Sequence, residues 1–235
     1  MSGKSLSGDV RVKVMRRTRT TVILAAGEFP RKGGEARRLL ESAGRVVACD
    51  SAALAFRRHC GRWPEVVVGD LDSLGVRHPP CEVVCVSEQD TNDLAKAAEY
   101  CARRRWRVAA VVGATGKRED HTLGNVFRAL AYGLTIVTDR GRFVPVVGRR
   151  TLSVARGAAV SVFAPDPATR MTSRGLEWPL DRVRFRNLFC ATLNRATASR
   201  VTLAATRPVT VFVAQEPRSD AWASARFPMQ RSHLV

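Results

Sequence analysis

Val66-Val67-Val68-Gly69-Asp70-Leu71-Asp72-Ser73 is the stretch on which the reading of this chain turns. Three valines closed by a glycine read as a short buried strand, and the two aspartates fall just beyond its end. Carboxylates present hard, anionic oxygens, and a pair converging from one tight turn can hold Mg²⁺ while leaving positions for water and a substrate phosphate. Aspartate also favours turns for local reasons alone. The turn by itself therefore leaves a site and a plain turn equally open, and two later stretches decide between them.

Upstream, Thr21 to Ala26 is an apolar run that meets a turn at Gly27-Glu28-Phe29-Pro30. Gly34 to Ala43 has Leu39, Leu40 and Ala43 at helical spacing, with Gly44 as a stop. Arg45 to Cys49 reads as a second strand, after which Ser51 is placed to cap a helix running to about Cys60. Asp50 then stands at the strand-to-helix corner, as a helix-start acid or a ligand contact. Downstream, Glu82 to Val86 is another strand, followed by Glu88-Gln89-Asp90-Thr91-Asn92-Asp93-Leu94-Ala95-Lys96-Ala97 and a helix reaching about Arg104. Asp93 and Lys96 lie three apart on one helical face near its N-terminus. Acids there either serve the helix end or, with Gln89 and Lys96, hold a metal-bound triphosphate.

Arg107 to Val112 is a buried strand, and Gly113-Ala114-Thr115-Gly116-Lys117-Arg118 follows it as a glycine-broken basic loop. This is not a P-loop, because only two residues separate the glycines and the lysine is not followed by Ser or Thr. Arg118, Asp120 and His121 enter a helix ending near Gly133, and Leu134 to Thr138 closes the series as a strand.

Alternating strands and helices predict an N-terminal, mostly parallel α/β sheet domain over residues 21–140. In such sheets ligands gather at the carboxyl ends of the strands. Asp50, Asp70, Asp72, the Gln89 to Lys96 segment and Thr115 to Asp120 all follow strands, which puts them on one rim. Beyond about residue 141 the pattern becomes short β runs at Phe143 to Val147, Thr151 to Val154, Ala158 to Phe163, Arg182 to Phe185, Val201 to Ala204 and Val209 to Val213. These predict a C-terminal β-sandwich domain over 141–215, serving substrate contact, dimerisation or both. Residues 1–20 read as a basic disordered tail, and 216–235 as a second tail.

The chain has 235 residues, 45% hydrophobic and 26% charged, enough for one large or two modest cores and unlike a disordered chain. No apolar run approaches the roughly 20 residues of a membrane-spanning helix. The net charge of +18 raises the question of nucleic acid. Neither a recognition-helix pattern nor an aromatic-basic RNA motif accompanies it, so nucleic acid is not the expected partner. Against that basic background the clustering of acids is informative. Seven of the 21 fall in three windows: Asp70 with Asp72, Glu88 with Asp90 and Asp93, and Glu119 with Asp120. The six cysteines form no Cys-x-x-Cys pair, which suits reduced thiols in a cytoplasmic protein.

Taken in order, these motifs resemble those of the thiamine pyrophosphokinase (thiamin diphosphokinase) family, bacterial type. Ala26-Gly27-Glu28-Phe29-Pro30 resembles the family's Asn-Gly-Glu-Phe-Pro, and Gly69-Asp70-Leu71-Asp72-Ser73 its Gly-Asp-x-Asp-Ser. Gln89 to Ala97 resembles Gln-x-Thr-Asn-Asp-x-x-Lys-Ala, and Gly113 to Asn125 follows Gly-x-Arg-x-Asp-His-x-Leu-x-Asn. Gly175-Leu176-Glu177-Trp178-Pro179-Leu180 is similar to its Gly-Leu-x-(aromatic)-x-Leu. The resemblance implies a homodimer that transfers diphosphate from Mg-ATP to the thiamine hydroxyl, giving thiamine diphosphate and AMP. It implies Asp70, Asp72 and Asp93 as Mg²⁺ ligands. Gln89, Lys96, Thr115, Arg118, Asp120 and His121 fall to the nucleotide and its phosphates. Asp70, Asp93 and Asp120 are the catalytic candidates, Asp70 and Asp93 first in line as base for the hydroxyl.

Two places depart from the family pattern. Asp50-Ser51-Ala52-Ala53-Leu54 keeps the acid of Asp-Gly-Gly-Ala-Asn but loses its first glycine and its Asn. Ala191-Thr192-Leu193-Asn194 stands where many members carry Ser-Thr-Ser-Asn. The resemblance implies that both face thiamine, through Asp50, Thr192 and Asn194. The departures leave open a diphosphokinase acting on another heterocyclic alcohol, and the charge leaves open a nucleic-acid-binding protein with a retired site.

Overall fold

In the computed structural model, residues 19–217 are described, except 77 and 89. The expectations for Gln89, for residues 1–18 of the basic tail and for residues 218–235 lie outside the described residues.

Six strands form the parallel part: β1 (Thr21–Leu24), β2 (Arg45–Cys49), β3 (Val66–Gly69), β4 (Glu82–Cys85), β5 (Val108–Val112) and β6 (Ile136–Val137). They lie in the order β6-β5-β1-β2-β3-β4, and all five pairings are parallel. The two-residue period of a strand divides their side chains between two faces. Val22, Leu24, Val46 and Val67 meet α1 (Glu35–Glu41) and α2 (Ala52–Cys60) on one face. Ile23, Val47, Val68 and Val111 meet α3 (Asp93–Arg103) and α4 (Glu119–Ala131) on the other. A helix as short as α1 is not stable by itself, so it is held by burying Ala36 and Leu40.

Adjacent β1 and β5 send their helices to opposite faces, since β1 leads into α1 and β5 into α4. That is a topological switch point, the place where open α/β sheets form a ligand crevice.

The chain then continues the same sheet. β7 (Gly141–Ser153) pairs antiparallel with β6, and β11 (Arg200–Pro217) pairs with β7 along its length. β8 (Ala158–Phe163) adds to β11 and β10 (Ala191–Arg195) adds to β8, while β9 (Met171–Arg174) pairs with the first part of β11. The β7–β11 register shifts between Ala205 and Val209, opposite Gly148 at φ +63°. Both halves of this ribbon contribute to one core, Leu152, Val201 and Leu203 from one side of the shift and Val144, Val209 and Val211 from the other. The sandwich expected after residue 141 is thus built by a sheet continuous with the parallel one.

Three local expectations change. The runs at 143–147 and 151–154 are one strand, as are those at 201–204 and 209–213. Arg182 to Phe185 is not a strand but part of an irregular loop, in which Val183 and Phe185 face the core. Ser51 occupies the N-cap position of α2 without a side-chain cap bond.

Candidate active site

The rim is shaped first by backbone. Gly27 N–H donates to Gly113 O at 2.7 Å and Glu28 N–H to Thr115 O at 2.7 Å, which binds the loops after β1 and β5 into a ridge. A Cβ on Gly27 would stand 2.5 Å from both Gly113 O and Thr115 O, so only glycine permits this approach. On one side of the ridge a cavity of about 320 Å³ opens between the starts of α2, α3 and α4. On the other a cavity of about 360 Å³ is lined by Glu28, Thr115, Asp139 and Arg140 among others.

Asp50 enters the first cavity from the end of β2 with φ +42°, a strained conformation for a residue other than glycine. It is 4% exposed; its Oδ2 accepts the Ser73 N–H at 3.3 Å, and its Oδ1 is buried without a partner. Burial pushes its carboxyl above the usual 3.8, Ser73 pulls it back, and Asp70 pushes it up again. Asp70 Oδ1 accepts the Asp72 N–H at 3.3 Å, and Leu71 between them has φ +70°. Strained backbone thus stands on both sides of the acids.

Asp93 is the first residue of α3. The capping role falls to its neighbour Asn92, whose Oδ1 accepts the Ala95 N–H at 3.0 Å. Asn92 Nδ2 donates to Asn125 Oδ1 at 2.9 Å, and Asn125 Nδ2 donates to Ala114 O at 2.9 Å. Two amides therefore fix the starts of α3 and α4 against the β5 loop. Neither carried a functional role in the sequence reading, although both stand within its quoted motifs; a polar residue one before and six after a helix start was the available signal. Asp93 is freed to face the cavity, with the buried Lys96 Nζ 3.7 Å from its Oδ1. Burial pushes the Asp93 carboxyl up, Lys96 opposes this, and Asp70 and Asp50 add to it.

Asp50, Asp93, Thr115, Arg118 and His121 all line the one cavity. Asp70 is close enough for its charge to act on both Asp50 and Asp93. Asp72 is exposed. Asp120 is also exposed and holds Arg118 through Nε to Oδ1 at 3.1 Å and Nη2 to Oδ2 at 2.6 Å, which keeps its carboxyl low, at about 2. Lys117 Nζ donates to Ala26 O at 2.9 Å.

Thr192 and Asn194 are not near these groups in the order of the sheet. They sit on β10, at the opposite edge from β4. Asn194 Nδ2 donates to Trp178 O at 2.7 Å, and its Oδ1 accepts the N–H groups of Trp178 and Arg195 at 3.1 and 2.8 Å. Thr192 Oγ1 donates to Phe189 O at 3.0 Å.

Among the described residues no three His, Cys, Asp or Glu side chains stand ready to enclose a metal ion. Mg²⁺ rarely asks for such a cage, because it is normally held by one or two carboxylates, waters and substrate phosphates. Carboxylates that raise one another's proton affinity, one with a buried oxygen lacking any partner, suit that hard cation.

Two family profiles match the chain, thiamin pyrophosphokinase catalytic domain over residues 36–137 and thiamin pyrophosphokinase substrate-binding domain over residues 141–212. The chain belongs to the thiamin pyrophosphokinase family. Membership makes it an enzyme, a thiamine diphosphokinase. Solved structures share its fold. A thiamin pyrophosphokinase from Geobacillus thermodenitrificans matches at 22% identity with TM-score 0.65, covering 85% of this chain and 99% of that one. The thiamine pyrophosphokinase from Bacillus subtilis matches at 18% identity with TM-score 0.62, covering 83% and 99%. The Candida albicans thiamin pyrophosphokinase matches at 12% identity with TM-score 0.65, covering 83% and 90%. No curated protein sequence matches the chain.

Proposed function

We propose that this thiamine diphosphokinase takes diphosphate from Mg-ATP at the rim between β2, β3, α3 and α4, and delivers it to the thiamine hydroxyl. The observation that carries the assignment of the site is the meeting of Asp50, Asp70 and Asp93, from three separate stretches, around a cavity at the strands' carboxyl ends. Asp70 and Asp93 would hold the ion, with Asp72 reaching it from the exposed end of its turn. The ion would neutralise charge on the phosphates. The thiamine oxygen forms its bond to the β-phosphorus in line as the bond from that phosphorus to the α–β bridging oxygen breaks, and AMP leaves with that oxygen. The hydroxyl proton needs a carboxylate. Asp93, which lines the cavity beside Lys96, is the candidate to accept it. Thr115, Arg118, Asp120, His121 and Lys96 position the nucleotide, and Gln89 joins them.

Thr192 and Asn194 are assigned to thiamine in a homodimer. Eight strand spacings separate β10 from β3, on the order of 38 Å along the sheet at about 4.8 Å each. That separation supports thiamine contacts donated by a second copy. Six free cysteines support a cytoplasmic setting, and among the described residues no helix is long and apolar enough to cross a membrane. The test is incubation with Mg-ATP and thiamine, where AMP should appear in step with thiamine diphosphate. ADP as the sole nucleotide product rules the reaction out.

A further inference from the structure

Three successive carbonyls of the loop after β5 are each tied down. Gly113 O accepts the Gly27 N–H and Thr115 O the Glu28 N–H, both from the loop after β1, whereas the middle one, Ala114 O, accepts Asn125 Nδ2 of α4 at 2.9 Å. Asn125 Oδ1 accepts Asn92 Nδ2 at 2.9 Å, and Asn92 Oδ1 accepts the Ala95 N–H of α3 at 3.0 Å. The donors therefore run head to tail from α3 through two side-chain amides to the loop, and in such a chain each bond polarises the next.

Both ends of this chain adjoin groups given to the reaction. Asn92 immediately precedes Asp93, Ala114 immediately precedes Thr115, and all four line the same cavity with Asn125. Capping alone does not call for an amide at position 92, since Ser, Thr or Asp caps a helix as well. Serine and threonine lack a second polar atom and an ionised aspartate has no donor, so only an amide both accepts from Ala95 and donates to Asn125. A second α3–α4 hydrogen bond, Tyr132 Oη to Glu99 Oε1 at 2.7 Å, involves no residue of the cavity. The two helices are thus joined once at the site and once away from it.

We propose that Asn92 and Asn125 are positioning residues, an amide relay that holds Asp93 in register with the Thr115 to Arg118 loop so that the acid and the nucleotide's phosphates meet in one geometry. In-line transfer is sensitive to that register, because a misplacement of about 1 Å can cost roughly 100-fold in rate. The oxygen and nitrogen of both amides are engaged with protein partners, so their loss falls on alignment and not on nucleotide affinity. The bond between them is shared, and a break at either residue opens the whole path.

This rests on the diphosphokinase reading, and three variants separate the two. Asn92→Ser keeps a capping oxygen for α3 but removes the donor to Asn125, Asn125→Ala removes the acceptor, and Tyr132→Phe removes the α3–α4 bond away from the cavity. With Mg-ATP and thiamine, Asn92→Ser is expected to lower kcat roughly 10- to 100-fold while KM for Mg-ATP stays within about threefold. The double variant of Asn92→Ser and Asn125→Ala should be no slower than the slower single, because one break already opens the path. Tyr132→Phe should keep native kcat and lower the thermal midpoint by a few degrees, as Asn92→Ser does. In the ligand-free protein, backbone amide exchange over residues 113–118 should quicken in Asn92→Ser, although the substitution is on another element, and stay native in Tyr132→Phe. Native kcat or unchanged loop exchange in Asn92→Ser overturns the inference alone. So do single losses that multiply in the double variant, or a Tyr132→Phe chain that loses as much turnover as Asn92→Ser. A native chain that makes no AMP overturns the diphosphokinase reading and this inference with it.

Discussion

Residues 21–140 carry 18 Lys and Arg against 15 Asp and Glu, whereas 141–217 carry 12 arginines against four acids. In the first region acids are crowded together at strand ends, on strained backbone and partly out of water. In the second, strained non-glycine backbone is confined to Leu193 at φ +63°, the buried Asn194 is satisfied by Trp178 and Arg195, and the excess charge points outward. One region holds electrostatic energy against its own stability, and the other supplies rigid surface. Crowded like charges destabilise a fold and are kept where a ligand relieves them.

The largest expected consequence is kinetic. Asp93→Asn removes one charge from the ion's shell and the best-placed proton acceptor together, and should lower turnover about 1000-fold. Circular dichroism should remain native, since Asn92 and not Asp93 caps α3. Retention of more than about a tenth of the turnover would take the crowded acids out of the chemistry. The contrasting change in the other half is Phe185→Ala, which opens a cavity in the C-terminal core and should cost about 3–5 kcal/mol in chemical denaturation. A cost below about 1 kcal/mol would mean that the loop of Arg182 to Phe185 is not pinned.

These two halves were unequally legible. In the parallel half each strand announces its end with Gly, Asp or Ser, and the continuous apolar run of Val66 to Val68 and the 3.6-residue period of Leu94 to Cys101 are unmistakable. The rim followed from topology alone. What periodicity does not carry is side-chain direction within a turn: Asp72 stands only two residues from Asp70 yet is exposed, while Asp50 is buried. In the antiparallel half the alternation of Arg182 to Phe185 has a strand's period, but the segment pairs with no strand among the described residues and is a loop. Conversely, Ala191 to Arg195 pairs with β8 through an irregular register, with Leu193 at φ +63°, and its pattern is blurred accordingly.

A smaller effect has the opposite sign from most substitutions. Burial raises the Asp50 carboxyl, so the folded chain holds that proton more tightly than the unfolded chain. Without divalent metal, stability should therefore fall as pH rises from 3.8 through the raised folded value. Asp50→Asn removes the desolvated charge and its repulsion with Asp70. At neutral pH it should stabilise the metal-free protein by about 1 kcal/mol and flatten that part of the pH profile. A destabilised variant would show that the Ser73 N–H bond to Oδ2 outweighs the cost of the charge.

The smallest effect concerns the junction between the regions. Arg142 on β7 grips Glu35 on α1 through both carboxylate oxygens, Nε to Oε2 at 3.1 Å and Nη2 to Oε1, and this pair spans the two halves. The Arg142 side chain is 48% exposed and Glu35 23%, so water screens the pair. The same junction is crossed by the β6–β7 ladder, Ile136 opposite Phe143 and Val137 opposite Arg142, and by Phe143 itself, which packs against the core of the parallel half. Backbone pairing and ring burial do not weaken with salt, whereas an exposed ion pair does. A double-mutant cycle of Glu35→Gln and Arg142→Gln should thus give a coupling of about 1 kcal/mol or less, smaller still in ~1 M salt. A coupling above about 2 kcal/mol would mean that charge, and not a shared sheet, joins the acid-rich half to the arginine-rich one.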